Sequence, residues 1–280
     1  SESIVTLPLN NRGLAYADGF FTTMAIENGE ILWADYHWQR LSSHAATLKL
    51  DLPKSSLLLA LESHAKELEQ GVMKVIVTRA EQTMRGYGFS ADSSVSGCEI
   101  WLKTMPATSL VKANLPNTIP TTINTNALSV ADGQSIILQP PTKAICLTSQ
   151  IACLPPTLAG LKTLNRLDNV LASGEFESIK ANSLNKSLDK ELGEGLLRDM
   201  SGHWVEGTMS NVFYQLSTSY NEKNHHQHSF KNSAKNSVGN NDSNYLTKGQ
   251  WFTPPMTQSG VAGVMRQVII DSLATTENPV

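Results

Sequence analysis

The alternation of apolar and polar positions divides the chain into short strands and amphipathic helices. Phe20–Glu27 and Glu30–Trp33 flank Asn28-Gly29, and an Asn-Gly pair between two such runs predicts a hairpin with a two-residue turn. Residues 36–50 place Trp38, Leu41, Ala45 and Leu48 on one helical face. A second helix is predicted over Lys54–Glu69, stopped by Gly71. Met73–Arg79 and Cys98–Thr104 are short runs of β-branched and aromatic residues that read as strands. The first hundred or so residues therefore read as a small α+β unit. Met105–Pro120 has three prolines and little periodicity. The division that follows is an N-terminal α+β domain at 1–107, a linker at 108–119 and a larger domain at 120–280.

In that larger part, Thr121–Asn126 is predicted as a strand and Asp168–Lys180 as a helix. Gly195–Glu206 reads as a hairpin turning at Asp199–Gly202, and Asn211–Leu216 and Gln250–Thr253 as two more strands. Ser217–Gly249 is rich in Asn, Ser, Lys and His and offers nothing to build a core from, so 217–249 reads as a disordered excursion from a hairpin tip. Gly260-Val-Ala-Gly-Val-Met-Arg266 opens a helix that runs on to Leu273.

Composition narrows the class. With 280 residues, 40% hydrophobic and 17% charged, the chain can bury a sizeable core. A net charge of −3 gives no footprint for nucleic acid or a membrane surface. No apolar run is long enough to span a bilayer, and the N-terminus lacks the basic and apolar regions of a secretory signal. Three cysteines, Cys98, Cys146 and Cys153, have no metal-ligand spacing, which points to a reducing cytoplasm rather than a disulfide framework.

Three features could carry chemistry. Lys162 lies among apolar neighbours in Ala159-Gly-Leu-Lys-Thr-Leu-Asn-Arg-Leu; burial would leave its amine neutral and nucleophilic, while a solvated helix-end lysine would do nothing. Small residues at the Gly260 helix start suit either an anion on exposed amides or close packing. His225, His226 and His228 fall in the polar excursion without an acidic or cysteine partner, so no metal site is expected.

Four segments in order carry a resemblance: Asn11-Arg-Gly-Leu-Ala-Tyr-Ala-Asp-Gly-Phe-Phe-Thr-Thr23, His37-Trp-Gln-Arg-Leu41, Leu161-Lys-Thr-Leu-Asn-Arg-Leu-Asp-Asn169 and Val205-Glu-Gly-Thr-Met-Ser-Asn-Val-Phe213. Thr253-Pro-Pro and the Gly260–Arg266 helix start follow. Together they resemble the fold-type IV pyridoxal-phosphate enzymes, a group that spans branched-chain and D-amino-acid aminotransferases and 4-amino-4-deoxychorismate lyase. The resemblance implies a mixed α+β and α/β fold of two domains, like that of D-amino-acid aminotransferase, with pyridoxal 5′-phosphate at the domain interface. It implies a homodimer acting on a small-molecule substrate. Lys162 matches the catalytic lysine that forms the Schiff base. Arg40 matches the phosphate-binding arginine, whose planar fork suits a dianion. Glu206 matches the carboxylate paired with the pyridine nitrogen. Val261 and Ala262 match backbone amides of the phosphate site, and Asn211 a position near the cofactor.

Within that group the Lys-x-Leu-Asn-Arg-Leu form and Asp18-Gly-Phe-Phe-Thr-Thr look most like the lyase, because the transaminases' tyrosine position holds Leu167 and their glutamate position Thr22. Arg85-Gly-Tyr87 resembles the lyases' Arg-Gly-Tyr, making Arg85 and Tyr87 candidates for the substrate. The implied reaction turns 4-amino-4-deoxychorismate into 4-aminobenzoate, a folate precursor, and pyruvate. Two alternatives stand beside it. One is a D-amino-acid or related aminotransferase on the same fold. The other is a catalytically impaired relative, because the strands, helix and Thr/Asn-rich loop that the resemblance leads one to expect after the Val261 helix are not found before Val280.

Overall fold

The structure is a computed structural model, and it describes residues 6–90, 97–106, 142–182, 192–215 and 251–273. Linker 108–119, strand Thr121–Asn126, excursion 217–249 and its three histidines lie outside the described residues.

A one-turn helix α1 (Arg12–Tyr16) is capped by the Asn11 side chain, which accepts from the Leu14 amide at 3.0 Å. It leads into the hairpin of β1 (Gly19–Glu27) and β2 (Glu30–Ile31). The turn residues Asn28 and Gly29 both have positive φ, 53° and 76°, the left-handed pair a two-residue turn needs. Strand β2 stops before the predicted Trp33, because Trp33 itself turns left-handed (φ 59°) to start the next helix. Helices α2 (Ala34–Leu48) and α3 (Lys54–Leu68) follow, then β3 (Gly71–Arg79) and β4 (Cys98–Pro106). These strands form one antiparallel sheet in the order β2-β1-β3-β4.

One face of that sheet is dry. Phe20, Met24, Met73, Val75 and Val77 point to the same side, where Leu41 and Ala45 of α2 and Leu57, Leu61 and Ala65 of α3 cover them. The buried Thr22 hydroxyl on that side meets Nδ1 of His37 at 2.8 Å. Alternate residues Phe21, Lys74 and Ile76 are only half-buried and face the other way.

The second sheet is built differently. Strand β5 (Lys143–Ile151), which the sequence pattern does not predict, runs parallel to β6 (Leu192–Asp199), and α4 (Leu167–Asn182) lies between them in the chain. The predicted hairpin is present as β6 and β7 (Trp204–Gly207), antiparallel. Leu147, Ile151, Ala172, Phe176, Leu197, Val205 and Met256 make its core. The β5–β6 register breaks between Cys146 and Gln150, and the amides freed there are taken by α4: Glu175 accepts from the N–H groups of Thr148 and Ser149, each at 2.8 Å. Strands β8 (Tyr214–Gln215) and β9 (Trp251–Phe252) pair briefly, and α5 (Val264–Leu273) ends the described chain. Val264 and Val268 of α5 pack on Trp33, tying the last helix back to α2. No described helix is long and apolar enough to cross a membrane.

Candidate active site

Residues 160–164 are stitched to both halves of the molecule. On one side Gly160 bridges Val261, and the Ala262 N–H donates to the Gly160 carbonyl at 2.9 Å. On the other, Thr163 bridges Phe20; the Phe21 N–H donates to the Lys162 carbonyl and the Leu164 N–H to the Gly19 carbonyl, both at 3.0 Å. Lys162 therefore lies where the first sheet meets the second half of the chain. Gly160 is needed for this crossing, with φ at +78° and a Cβ there only 3.0 Å from the Met256 carbonyl. A cavity of about 380 Å³ opens along the segment, lined by Asp18, Thr163, Asn165, Arg166 and Asp168 among others.

The Lys162 amine is half-buried over the Phe21 ring, 4.8 Å from its centroid. Desolvation, then the charges of Arg40 and Arg166, bring its pKa down to about 8, against an opposing pull from Glu206. The amine is thus far closer to its neutral, nucleophilic form near neutral pH than an ordinary lysine, though still mostly protonated.

Arg40 is buried on α2 and gives one described hydrogen bond, to the Ala262 carbonyl at 2.6 Å. Among the described residues no carboxylate pairs with it, so most of its five donors remain for another ligand. One turn on, His44 accepts the backbone N–H of Lys162 at Nε2 (2.9 Å). Burial, then Arg40, Arg166 and Lys162, push the His44 pKa down to about 4, so its ring is a neutral acceptor. Its Nδ1 faces the Ser43 hydroxyl at 3.3 Å, and that hydroxyl donates to the Arg40 carbonyl.

Glu206 on β7 is buried. Its Oε2 accepts the Val261 N–H at 2.8 Å and its Oε1 the Asn169 side-chain amide at 3.2 Å. Burial raises its pKa, opposed by these two donors and by Arg166 and Lys162. The carboxylate is within reach of positive charge but has no ion pair among the described residues. Asn211 bridges Glu206 and donates to the Val261 carbonyl at 2.8 Å, clamping residue 261 beside the carboxylate.

The structure thus gathers Lys162, Arg40, Glu206, Asn211, Val261 and Ala262, and alters one expectation. The Val261 and Ala262 N–H groups are not free for phosphate, because Glu206 and the Gly160 carbonyl already accept them. The orphan amides nearby are those of the first turn of α5, which starts at Val264 rather than at Gly260. Arg85 and Tyr87 are not drawn in; both are exposed and share no described hydrogen bond, ion pair or ring contact with Lys162, Arg40 or Glu206. Their loop is held instead by Arg12, which donates to the Gly86 and Tyr87 carbonyls at 3.2 and 3.1 Å. Among the described residues no His, Cys, Asp or Glu group could hold a metal ion.

Sequence reasoning missed His44, Arg166, Asn169 and Lys74. Arg40 and His44 stand four apart on one helix face, a signal available in the sequence. Arg166, which donates to the Leu161 and Thr163 carbonyls, stood inside the Lys-x-Leu-Asn-Arg-Leu motif but was given no role of its own, because its neighbourhood is made by chain crossing.

A nucleophilic amine, a guanidinium with spare donors and a buried unpaired carboxylate match three poles of pyridoxal phosphate: aldehyde, phosphate and ring nitrogen. Sites of this kind on this fold define the fold-type IV pyridoxal-phosphate enzymes. The chain belongs to the class IV amino-transferase family, whose model matches residues 19–280. Its cofactor is pyridoxal 5′-phosphate. Over 269 residues the chain is 22% identical to an aminodeoxychorismate lyase of Vibrio harveyi, covering 95% of this chain and 73% of that one. The crystal structure of 4-amino-4-deoxychorismate lyase from Pseudomonas aeruginosa superposes with a TM-score of 0.61 at 26% identity, over 96% of this chain and 74% of the other. The PLP-bound form of a hypothetical aminotransferase from Mycobacterium tuberculosis gives 0.58 at 15% identity, over 97% and 73%. The branched-chain amino acid aminotransferase of Escherichia coli gives 0.55 at 15%, over 95% and 68%.

Proposed function

We propose that this protein is a lyase that converts 4-amino-4-deoxychorismate to 4-aminobenzoate and pyruvate. The observation that carries the chemistry is the Lys162 amine, lowered to about 8 by burial and then by Arg40 and Arg166. The likeness to two lyases, from Vibrio harveyi and Pseudomonas aeruginosa, supports the choice of reaction. So does Leu167, 72% exposed at the start of α4 where the transaminases' tyrosine would stand.

When bound, the cofactor supplies an electron sink. Arg40 and the first turn of α5 would hold its phosphate. Glu206 would keep a proton on the ring nitrogen, and Asn169 and the Val261 N–H fix that carboxylate in place. Lys162 takes the proton from the ring carbon that bears the substrate's amine. The carbon–oxygen bond to the enolpyruvyl group then breaks, its electron pair leaving with the oxygen, and the ring becomes aromatic. The released enolate takes up a proton on its methylene carbon and becomes pyruvate. Asn211 keeps residue 261 in register with Glu206. The exposed apolar stripe of Leu167, Val170 and Leu171 on α4 supports a homodimer, and the free cysteines agree with a reducing cytoplasm, where folate precursors would be made.

The test is release of pyruvate from 4-amino-4-deoxychorismate with no keto-acid acceptor present. Stoichiometric release of 4-aminobenzoate and pyruvate is expected. Turnover only when an amino acid and a keto acid are supplied together would make the protein an aminotransferase instead.

A further inference from the structure

The open face of the first sheet carries two lysines that nothing so far explains. Lys74 on β3 points away from the core, on the same side as Phe21 and Ile76. In register it stands opposite Thr23 on β1 and opposite Lys103 on β4. Like charges facing each other across a ladder repel, so the pair is unfavourable as it stands. The acids of this face are remote in register: Glu99 lies opposite Thr78 and accepts from the Asn11 amide at 2.6 Å, and Glu27 lies opposite Glu30. Neither Lys74 nor Lys103 is in an ion pair among the described residues.

Lys74 also shares an aromatic ring with the Lys162 amine and adds to the charges that lower its pKa. Its Nζ lies 4.6 Å from the centroid of the Phe21 ring, the same ring that carries Lys162 Nζ at 4.8 Å. The ring quadrupole attracts both ammonium groups but neutralises neither. The phosphate has its own cation in Arg40, on a different element. What remains beside Phe21 is a half-buried, uncompensated positive charge facing the place where the substrate's amine must come.

We propose that Lys74, with Lys103 as its cross-strand neighbour, binds a carboxylate of the substrate on the Phe21 wall of the site. The substrate is then an amine that also carries an acid group, and Lys74 selects for that charge. The inference rests on the lyase reading for which acid is bound, but the charge preference belongs to the sheet itself.

The probe is a matched pair, 4-aminobenzoate and the neutral 4-aminobenzamide, titrated calorimetrically into the protein with and without cofactor. The wild type is expected to favour the acid. Lys74→Gln should weaken acid binding about tenfold, the size of one charge-assisted contact, while leaving the amide unchanged. Lys74→Arg should restore most of the difference, and matching thermal melts will show that both variants are folded. Failure of 4-aminobenzoate to bind the wild type, or an acid-to-amide ratio unchanged in Lys74→Gln, overturns the proposal. So does a loss that appears in cofactor affinity instead, which would make Lys74 a phosphate ligand. Pyruvate release is a separate readout. If it is absent while the ratio still depends on Lys74, the lyase reading falls and the carboxylate site stands. If pyruvate is released and the ratio ignores Lys74, the reverse holds.

Discussion

The backbone N–H of Lys162 donates to Nε2 of His44 at 2.9 Å. This bond ties the backbone of Lys162 to the helix face that also presents Arg40. A protonated ring could not accept it, and burial keeps the ring neutral. His44→Phe, which cannot accept, is expected to weaken cofactor binding several-fold while leaving the protein folded. His44→Gln, which can, should recover part of the affinity. Equilibrium titration with pyridoxal phosphate measures both.

The two buried histidines also set a pH dependence of stability. His37 is lowered to about 3 and His44 to about 4, in each case by burial first and then by Arg40. In the unfolded chain both titrate near 6.5, so between that value and the folded values the unfolded state binds more protons. Stability is therefore complete above about pH 6.5 and declines as pH falls toward 4, by at most about 1.4 kcal/mol per pH unit for each histidine. Urea unfolding between pH 7 and 4.5 should show this slope, and His44→Gln should remove one of the two increments. A flat profile over that range would contradict the burial argument.

Neighbouring charges make opposite predictions for Lys162. Arg40 lowers its pKa, so Arg40→Gln should raise it; Glu206 raises it, so Glu206→Gln should lower it further. Labelling of the amine by an acylating reagent across pH 6–10 in cofactor-free protein, read by peptide mass spectrometry, would follow both. Shifts in the same direction for the two variants would refute the charge assignment.

Gly260 has φ at +76°, and a Cβ there would lie 2.6 Å from Val205 Cγ1 and 3.1 Å from Glu206 Oε2. Gly260→Ala is expected to cost about 1–3 kcal/mol from backbone strain and overpacking. It should also displace Glu206, so cofactor affinity falls along with the melting temperature. A variant with normal affinity would show that the carboxylate tolerates movement.

Asp18 accepts from Arg12 and Arg79, each at 2.9 Å, and both arginines are almost fully buried. Asp18→Asn leaves two guanidinium groups without their shared anion and is expected to destabilise the protein by about 3–5 kcal/mol. Because Arg12 also carries the Gly86 and Tyr87 carbonyls, the loop should loosen. Faster amide exchange over residues 85–89 would report it.

The sequence alone determined the elements whose pattern is local. The Asn28-Gly29 hairpin, the α2 and α3 faces and the β6–β7 hairpin follow from side-chain period and turn chemistry, which a few residues encode. The resemblance carried by the four segments likewise pointed to Lys162, Arg40, Glu206 and Asn211. Strand β5 was not legible, because its pairing partner β6 lies beyond a whole helix and its register is broken and repaired by Glu175. Only the tertiary structure decided what surrounds the lysine. His44 comes from α2, Lys74 from β3, Asn169 from α4 and Arg166 from the loop before α4, and the Val261 and Ala262 amides proved to be engaged by groups far away in the chain. The physical reason is that burial and electrostatic influence depend on distance in space, and where 160–164 threads between Phe20 and Val261 no local pattern records which charges will meet.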